Sequence, residues 1–523
     1  MINTLIGFLG FTLFVIVFVW YRLKNENLKS EKGYFLAGRS LTGPVIAASM
    51  LLTNISTEHL IGMNGNAYKN GIVVIAWEVT SAIALVIAAL YFIPRYIKMG
   101  LTTVPEYLEN RYDAMTRTLV AVFLMISFVV TLLPIVLYTG AINIESIFDV
   151  SSQLGIHKSQ GLWYTVIVIG VIGSAYAIFG GLKAVAYSDM LNGIGLLIGG
   201  LLIPVLALYA IGDGRILKGV EEVYKFAPEK FNIIGSNDSV LPFSTLFTGL
   251  MINQLYFWGM NQTIIQRAFG AKNLAEAQKG LLYTGVLKIL IPIVIVLPGL
   301  IAFYYFQDQF YENPDTIYPI LVKKVLPSGL TGFFAAVILG AVLSTFNSVL
   351  NSASTIFCFD LYKKHFQPDI EEMQLVKIGK WVAVLLAVFA ILTAPMVAQA
   401  PDGLYQLLQQ LNGIFFIPIA SILLAGLFTK NINANGAKAG LLFGFIFYIL
   451  TTFIFDTGIH FVHIWGIEFV LNILIMWIVS KQMPTDKVPV EKVKDSSPPW
   501  AYAKIFGAAL ILITVIIYIL LAQ

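Results

Sequence analysis

The chain has 523 residues, of which 58% are hydrophobic and only 12% charged, with a formal net charge of +4. That excludes a soluble globular protein, where about a quarter of residues are charged, and a mean hydropathy of +0.81 makes lipid the main solvent. The small positive charge is explained by where Lys and Arg sit in the topology, not by a nucleic-acid partner.

Apolar stretches long enough for a bilayer core of about 30 Å fall at roughly 2–21, 42–68, 72–94, 117–145, 161–178, 186–211, 242–265, 280–304, 331–358, 377–397, 403–428, 437–455, 462–480 and 501–521. These stretches, about fourteen in number, predict an all-α integral membrane protein. The first has no basic residue before it and Arg22 and Lys24 after it, so it reads as a retained helix with its N-terminus outside, not as a cleaved signal. With the first loop cytoplasmic, alternation places roughly 24 Lys and Arg inside against about 8 outside. The inner clusters are Arg22, Lys24, Lys29, Lys32 and Arg39, then Lys363 and Lys364, then the loop from Lys481 to Lys494.

No polar linker divides the chain, and no Walker A loop, GxSxG elbow or Cys/His metal pattern occurs, so neither ATP hydrolysis nor covalent catalysis has a site. The chain therefore reads as a non-enzyme. Its lone cysteine, Cys358, forms no intrachain disulfide and reads as a core filler.

Polar residues fall where lipid does not tolerate them. The second stretch carries Thr53, Asn54, Ser56, Thr57, Glu58 and His59 at mid-membrane depth, which points to a helix that unwinds there to face a cavity. Glu78 and Ser81 share a face of the next stretch, and a single Lys288 lies in the span 280–304, where opposite charges offset each other's burial. Tyr405, Gln406, Gln409 and Asn412 line a later span, and Ser344, Thr345, Asn347, Ser348, Asn351 and Ser352 make the span 331–358 heavily hydroxylic, as oxygen ligands of a hard monovalent cation would be. Helix packing through small residues explains that last string equally well. Carboxylate, ammonium, amide, imidazole and an aromatic ring together complement sugar hydroxyls. An anionic substrate would call for an uncompensated Arg in mid-membrane, and no span supplies one.

Six strings add a resemblance: YFLAGRS at 34–40, TNISTEHLIGM at 53–63, VPEYLENRY at 104–112, YAIFGGLKAVAYSDM at 176–190, LYFWGMNQTIIQRAFGAKNLAEAQKG at 255–280 and LSTFNSVLNSASTIFCFDLY at 343–362. In this order they make the chain similar to the sodium:solute symporter family, in its sodium/sugar (glucose and galactose) branch, over nearly its whole length. The resemblance implies a leucine-transporter-like core of two inverted five-helix repeats, 42–211 and 242–428, each opening with a broken helix. Outside them would lie an N-terminal helix and cytoplasmic loop (1–41), an outer loop (212–241) and three peripheral helices (429–523). It implies sodium on the backbone carbonyls of Leu52, Ile55 and Ala341 and the hydroxyls of Ser344 and Thr345. Solute contacts would come from Asn54, His59, Glu78, Ser81, Lys288 and Gln409, with Met63 and Tyr405 as outer lid.

There are departures from the family pattern. The inner gate, Tyr in relatives, is Phe257 here with Tyr256 adjacent; Leu132 replaces a polar contact. A second sodium would use Asp189 and Ser348, but Asn347 stands where a hydroxyl is expected.

The expected function is sodium-coupled symport of a neutral hexose by alternating access, in the cell membrane, with sodium as the coupling ion. Rival solutes are myo-inositol and sialic acid, and the rival from another class is a sugar sensor that binds without pumping.

Overall fold

The computed structural model describes residues 2–309, 311, 314–399, 404–455, 457–485 and 497–522. Much of the basic loop expected from Lys481 to Lys494, and residue 403 of the span expected at 403–428, lie outside them. Among the described residues the one β-type pairing is the isolated Leu41–Ala271 bridge; otherwise the regular structure is helical. Among the described residues ten helices are long and apolar enough to cross a bilayer, or up to eleven if the bent pair Leu274–Leu290 and Pro292–Tyr305 is one span.

About fourteen crossings follow from these helices, because several runs are broken or doubled. Lys158–Ile211 has 54 residues, which would stretch about 81 Å if straight, more than twice a bilayer core. Gly181 interrupts it with φ 56° and ψ −164°, and a Cβ there would strike the Tyr34 carbonyl oxygen. Only glycine therefore fits this turn between two crossings. The apolar run His59–Met99 likewise holds the end of one crossing and all of the next, turning at Gly71, φ 78°.

Two crossings are broken. Gly43–Asn54 stops with Ile55 extended (φ −89°, ψ 93°) and resumes through His59–Met63 and Asn64–Asn70. Leu250–Gly259 stops before Met260, and Gln262–Phe269 restarts with the Asn261 side chain accepting from the Thr263 N–H at 3.0 Å. The Leu41 N–H donates to the Gly270 carbonyl and the Lys272 N–H to the Leu41 carbonyl, each at 3.0 Å. The start of the first broken helix is thereby pinned to the end of the second, so the two run in opposite directions through the bundle, as inverted repeats require.

Leu274–Leu290 packs parallel to Gly43–Asn54 in a fixed register. A Cβ at Gly280 would meet Ile46, the Thr284 hydroxyl reaches the Met50 sulfur, and Lys288 Nζ reaches Asn54 Oδ1. The offset is 234 residues at all three, since 280 − 46 = 284 − 50 = 288 − 54. One contact per turn delivers Lys288 to the level at which the first broken helix ends.

At one end of the bundle Asp360, fully buried, accepts from Thr103 Oγ1 at 2.8 Å and from Arg117 Nε at 2.6 Å. Arg117 also donates to Glu109 at 2.7 Å and to the Phe359 carbonyl at 3.0 Å. Replacing Asp360 with Ala removes hydrogen bonds to charged groups and is expected to cost about 1.5–3 kcal/mol; Thr103→Val should cost about 1. Thermal unfolding of the detergent-solubilised chain reads both, and equal midpoints for Asp360→Ala and the unaltered chain would contradict this account of the tie.

Candidate functional site

The break at Ile55 opens onto a cavity of about 70 Å³. All six residues expected to contact the solute line it: Asn54, His59, Glu78, Ser81, Lys288 and Gln409. They come from four separate stretches of chain. Lys288 Nζ donates to Asn54 Oδ1 at 2.7 Å and to Glu78 Oε2, and lies 5.3 Å from the Trp258 ring centre. Lys288 and Glu78 are each only 1% exposed. An isolated charge at that depth costs several kcal/mol, so each makes the other tolerable. Ser81 Oγ donates to Gln254 Oε1 at 2.9 Å, and Gln409 Nε2 to the Tyr405 hydroxyl at 3.3 Å. His59 Nδ1 lies 3.7 Å from Glu58 Oε1, and the His59 ring meets Tyr405 edge-on at 5.2 Å.

Tyr405 is the wall between this cavity and a smaller pocket lined by Met63, Val240 and Phe461, so the two residues expected as an outer lid do meet there. On the inner gate the structure separates the two neighbours. Phe257 lines the cavity, whereas Tyr256 turns away, fully buried, with its ring 4.4 Å from Phe416. Tyr256 stands about 100° round the helix from Phe257 and packs on Phe416 instead. Leu132 lines the wall, as expected.

The residues expected to hold sodium converge beside the break. Leu52, Ile55 and Ala341 are fully buried. Thr345 Oγ1 donates to the Thr53 carbonyl at 3.0 Å and lies 3.4 Å from that of Ala341. Ser344 Oγ is buried, makes no hydrogen bond of good geometry and lies beside Asp189. The carbonyls of the broken helix end, with that of Ala341 and two hydroxyls, make an oxygen-only donor set, which fits a hard cation.

Of the second trio, Asp189 and Ser348 meet at Arg267 and Asn347 stands apart. Ser49 Oγ donates to Asp189 at 2.5 Å, and the cation facing Asp189 is Arg267, 3.8 Å away and itself bonded to Ser348 and to Ser49. Asn347 is turned about 100° from Ser348 and lines a separate groove on the outside of the bundle. Arg267 is fully buried two residues past the predicted end of its span and is compensated by Asp189, so it is not the uncompensated mid-membrane Arg that an anionic solute would call for.

A model of the sodium:solute symporter family matches residues 34–444. An uncharacterized symporter of Escherichia coli K12, YidK, is 43% identical over 99% of this chain and 91% of its own length. The sodium/glucose cotransporter of Vibrio parahaemolyticus is 34% identical, over 86% of this chain and 85% of its own, and human sodium/myo-inositol cotransporter 2 is 32% identical over 83% and 67%. The chain belongs to the sodium:solute symporter family. It is thus an integral membrane protein that couples a solute to sodium, as family members do, and not an enzyme. A solved sodium-coupled sialic acid symporter superposes over 95% of this chain and 99% of its own with a TM-score of 0.78 at 21% identity, which shows the shared fold.

Gln254, Asn253, Trp77, Trp258 and Glu58 also line this symporter's cavity but are absent from the expected contact set. The signal for Gln254 was present: an amide in an otherwise apolar segment, four residues before Trp258, whose indole N–H donates to it at 3.2 Å.

The buried pair gives a test by double-mutant cycle. Glu78→Gln or Lys288→Met alone strands one charge and is expected to cost about 3–5 kcal/mol. The double variant should unfold at a higher temperature than either single one; midpoints that simply add would mean the two charges do not stabilise each other.

Proposed function

We propose that this symporter imports a neutral polyhydroxylated solute of hexose type, with sodium bound by the Leu52, Ile55 and Ala341 carbonyls and the Ser344 and Thr345 hydroxyls. The observation that carries the solute class is the neutralised cation of the cavity: Lys288 already faces Glu78 and Asn54. A carboxylate solute would find no unpaired ammonium there, whereas sugar hydroxyls can accept from Lys288 and donate to Glu78. Relatives named for glucose and myo-inositol support the same class. Asn54, His59, Ser81 and Gln409 supply further donors and acceptors, with Tyr405 and Phe257 as apolar covers for the sugar faces.

In this reading the core comprises the repeats 42–211 and 242–428. The basic loops beginning at Arg22 and Lys363 face the cytoplasm, which places the N-terminus outside and the chain in the cell membrane. Tyr405 stands between the cavity and the Met63 pocket and Phe257 lines the cavity, so the solute enters when Tyr405 swings out and leaves when Phe257 does. Sodium holds the end of Gly43–Asn54 against Ser328–Ile356, which fixes Asn54 at Lys288 and orders the solute site; linkage makes the effect reciprocal. Each charge moved through 100 mV supplies about 2.3 kcal/mol, and each tenfold sodium gradient about 1.4.

In proteoliposomes, uptake of labelled glucose should require inward sodium, be competed by galactose or myo-inositol, and be insensitive to sialic acid. Thr345→Ala should raise half-saturating sodium about tenfold, a loss of about 1.4 kcal/mol, with a smaller effect on sugar affinity. Uptake that persists when choline replaces sodium would refute the coupling, and competition by sialic acid alone would refute the solute class.

A further inference from the structure

A groove of about 630 Å³ lies on the outside of the bundle, nine times the 70 Å³ of the central cavity. The N-terminal helix Ile2–Leu23 forms one wall and the first half of Lys158–Ile211 the other; Leu339, Leu343 and Asn347 of Ser328–Ile356 form the floor. Leu9, Val168 and Ile172 on the rims are about half exposed, so the groove opens onto the surface that faces hydrocarbon. Its open hydrogen-bonding capacity is gathered at one end. The Thr12 and Thr165 hydroxyls are bonded one turn back to the Phe8 and Gly161 carbonyls. Asn347, by contrast, is 3% exposed and its Oδ1 has no partner, and Tyr176 and Ser188 line the same end. Tyr176 stands five residues before the Gly181 turn and Ser188 seven after it, which is about 8–10 Å inside that face of the bundle. In a bilayer with about 30 Å of hydrocarbon within about 40–45 Å overall, this is near the depth at which glycerol esters meet the acyl chains.

We propose that this groove is a binding site for one acyl chain of a phospholipid from the leaflet on the Gly181 side. The ester end lies at Tyr176, Ser188 and Asn347, and the tail runs between Ile2–Leu23 and the Lys158–Ile211 hairpin. An empty apolar hollow of this size forfeits the packing of every side chain along it, and an acyl chain restores that packing without desolvating anything. An amide buried against hydrocarbon is costly until something bonds to it, which sets the direction of the lipid. The occupant packs on the back of the helix whose front carries Ser344 and Thr345. The site does not depend on which solute is carried.

The test uses the full chain in nanodiscs of phosphatidylethanolamine and phosphatidylglycerol doped with a phospholipid bearing a mid-chain diazirine. After irradiation, adducts are mapped by proteolysis and mass spectrometry. Adducts should be several-fold denser on Leu5–Ile16 and Tyr164–Ile172 than on the Trp381–Leu392 face, whose Trp381, Leu385 and Leu392 are 69%, 66% and 61% exposed and offer no groove. Val168→Trp and, from the opposite wall, Ile16→Trp should each fill the groove and bring its labelling down to that background, with labelling of Trp381–Leu392 unchanged as the internal measure of a folded protein. Equal density on the two faces, or groove labelling untouched by both variants, would overturn the proposal. Neither readout requires transport, so failure here is separable from failure of the sodium-coupled hexose reading.

Discussion

In hydrocarbon every backbone carbonyl without an amide partner costs several kcal/mol, and Gly43–Asn54 ends about 18 Å from its start, near mid-membrane. Leu51 O still receives the Ile55 N–H at 2.8 Å, but the carbonyls after it have no continuing turn. Thr53 O is met by Thr345 from another helix. This requirement organises the neighbourhood: Ser328–Ile356 must lie close enough to supply hydroxyls, and its small residues allow that approach. A fold that leaves helix ends unpaired at this depth is stable only because a second helix, or a cation, completes them. The sodium proposed here therefore occupies a place that the backbone itself makes favourable.

The solute cavity sits one step from the same break. The constant offset between Gly43–Asn54 and Leu274–Leu290 carries Lys288 to Asn54, the last helical residue before the carbonyls open. A shift at the break thus moves Asn54, a proposed solute ligand, directly, and the ammonium of Lys288 passes it on to Glu78 in a third helix. Coupling between ion and solute needs no long pathway in this geometry; it needs only that Asn54 belong to both neighbourhoods.

Much of this was legible from residue order. Apolar length alone locates the crossings, since no other solvent permits such runs, and Glu58 and His59 inside one of them already mark a break. The six cavity residues were visible because a charge or amide in lipid demands a reason. What sequence could not decide depends on rotation and depth. Hydropathy ends the span near residue 265, yet Asp189 lets Arg267, two residues on, stay fully buried. Tyr256 and Phe257 are equivalent by composition, and only the packing of Tyr256 on Phe416 settles which one faces inward. Asn347 belongs to the same hydroxylic string as Ser344 and Ser348, but stands about 60° round the helix from the first and about 100° from the second, and lines the lipid-facing groove.

Arg267 ties together the elements that a change of access has to separate. Its guanidinium donates to Ser348 on Ser328–Ile356, to Ser49 on the first broken helix and to the Thr263 carbonyl on its own helix, and it faces Asp189 on the Lys158–Ile211 hairpin. A fully buried guanidinium cannot give up these partners one at a time without leaving an unpaired charge in a medium where that costs several kcal/mol. The second half of the second broken helix therefore either moves together with Asp189 and Ser348 as one body or waits until water reaches Arg267. Both alternatives make the transition all-or-none, and a transporter that holds its solute between two gates needs that cooperativity to avoid a state open at both ends.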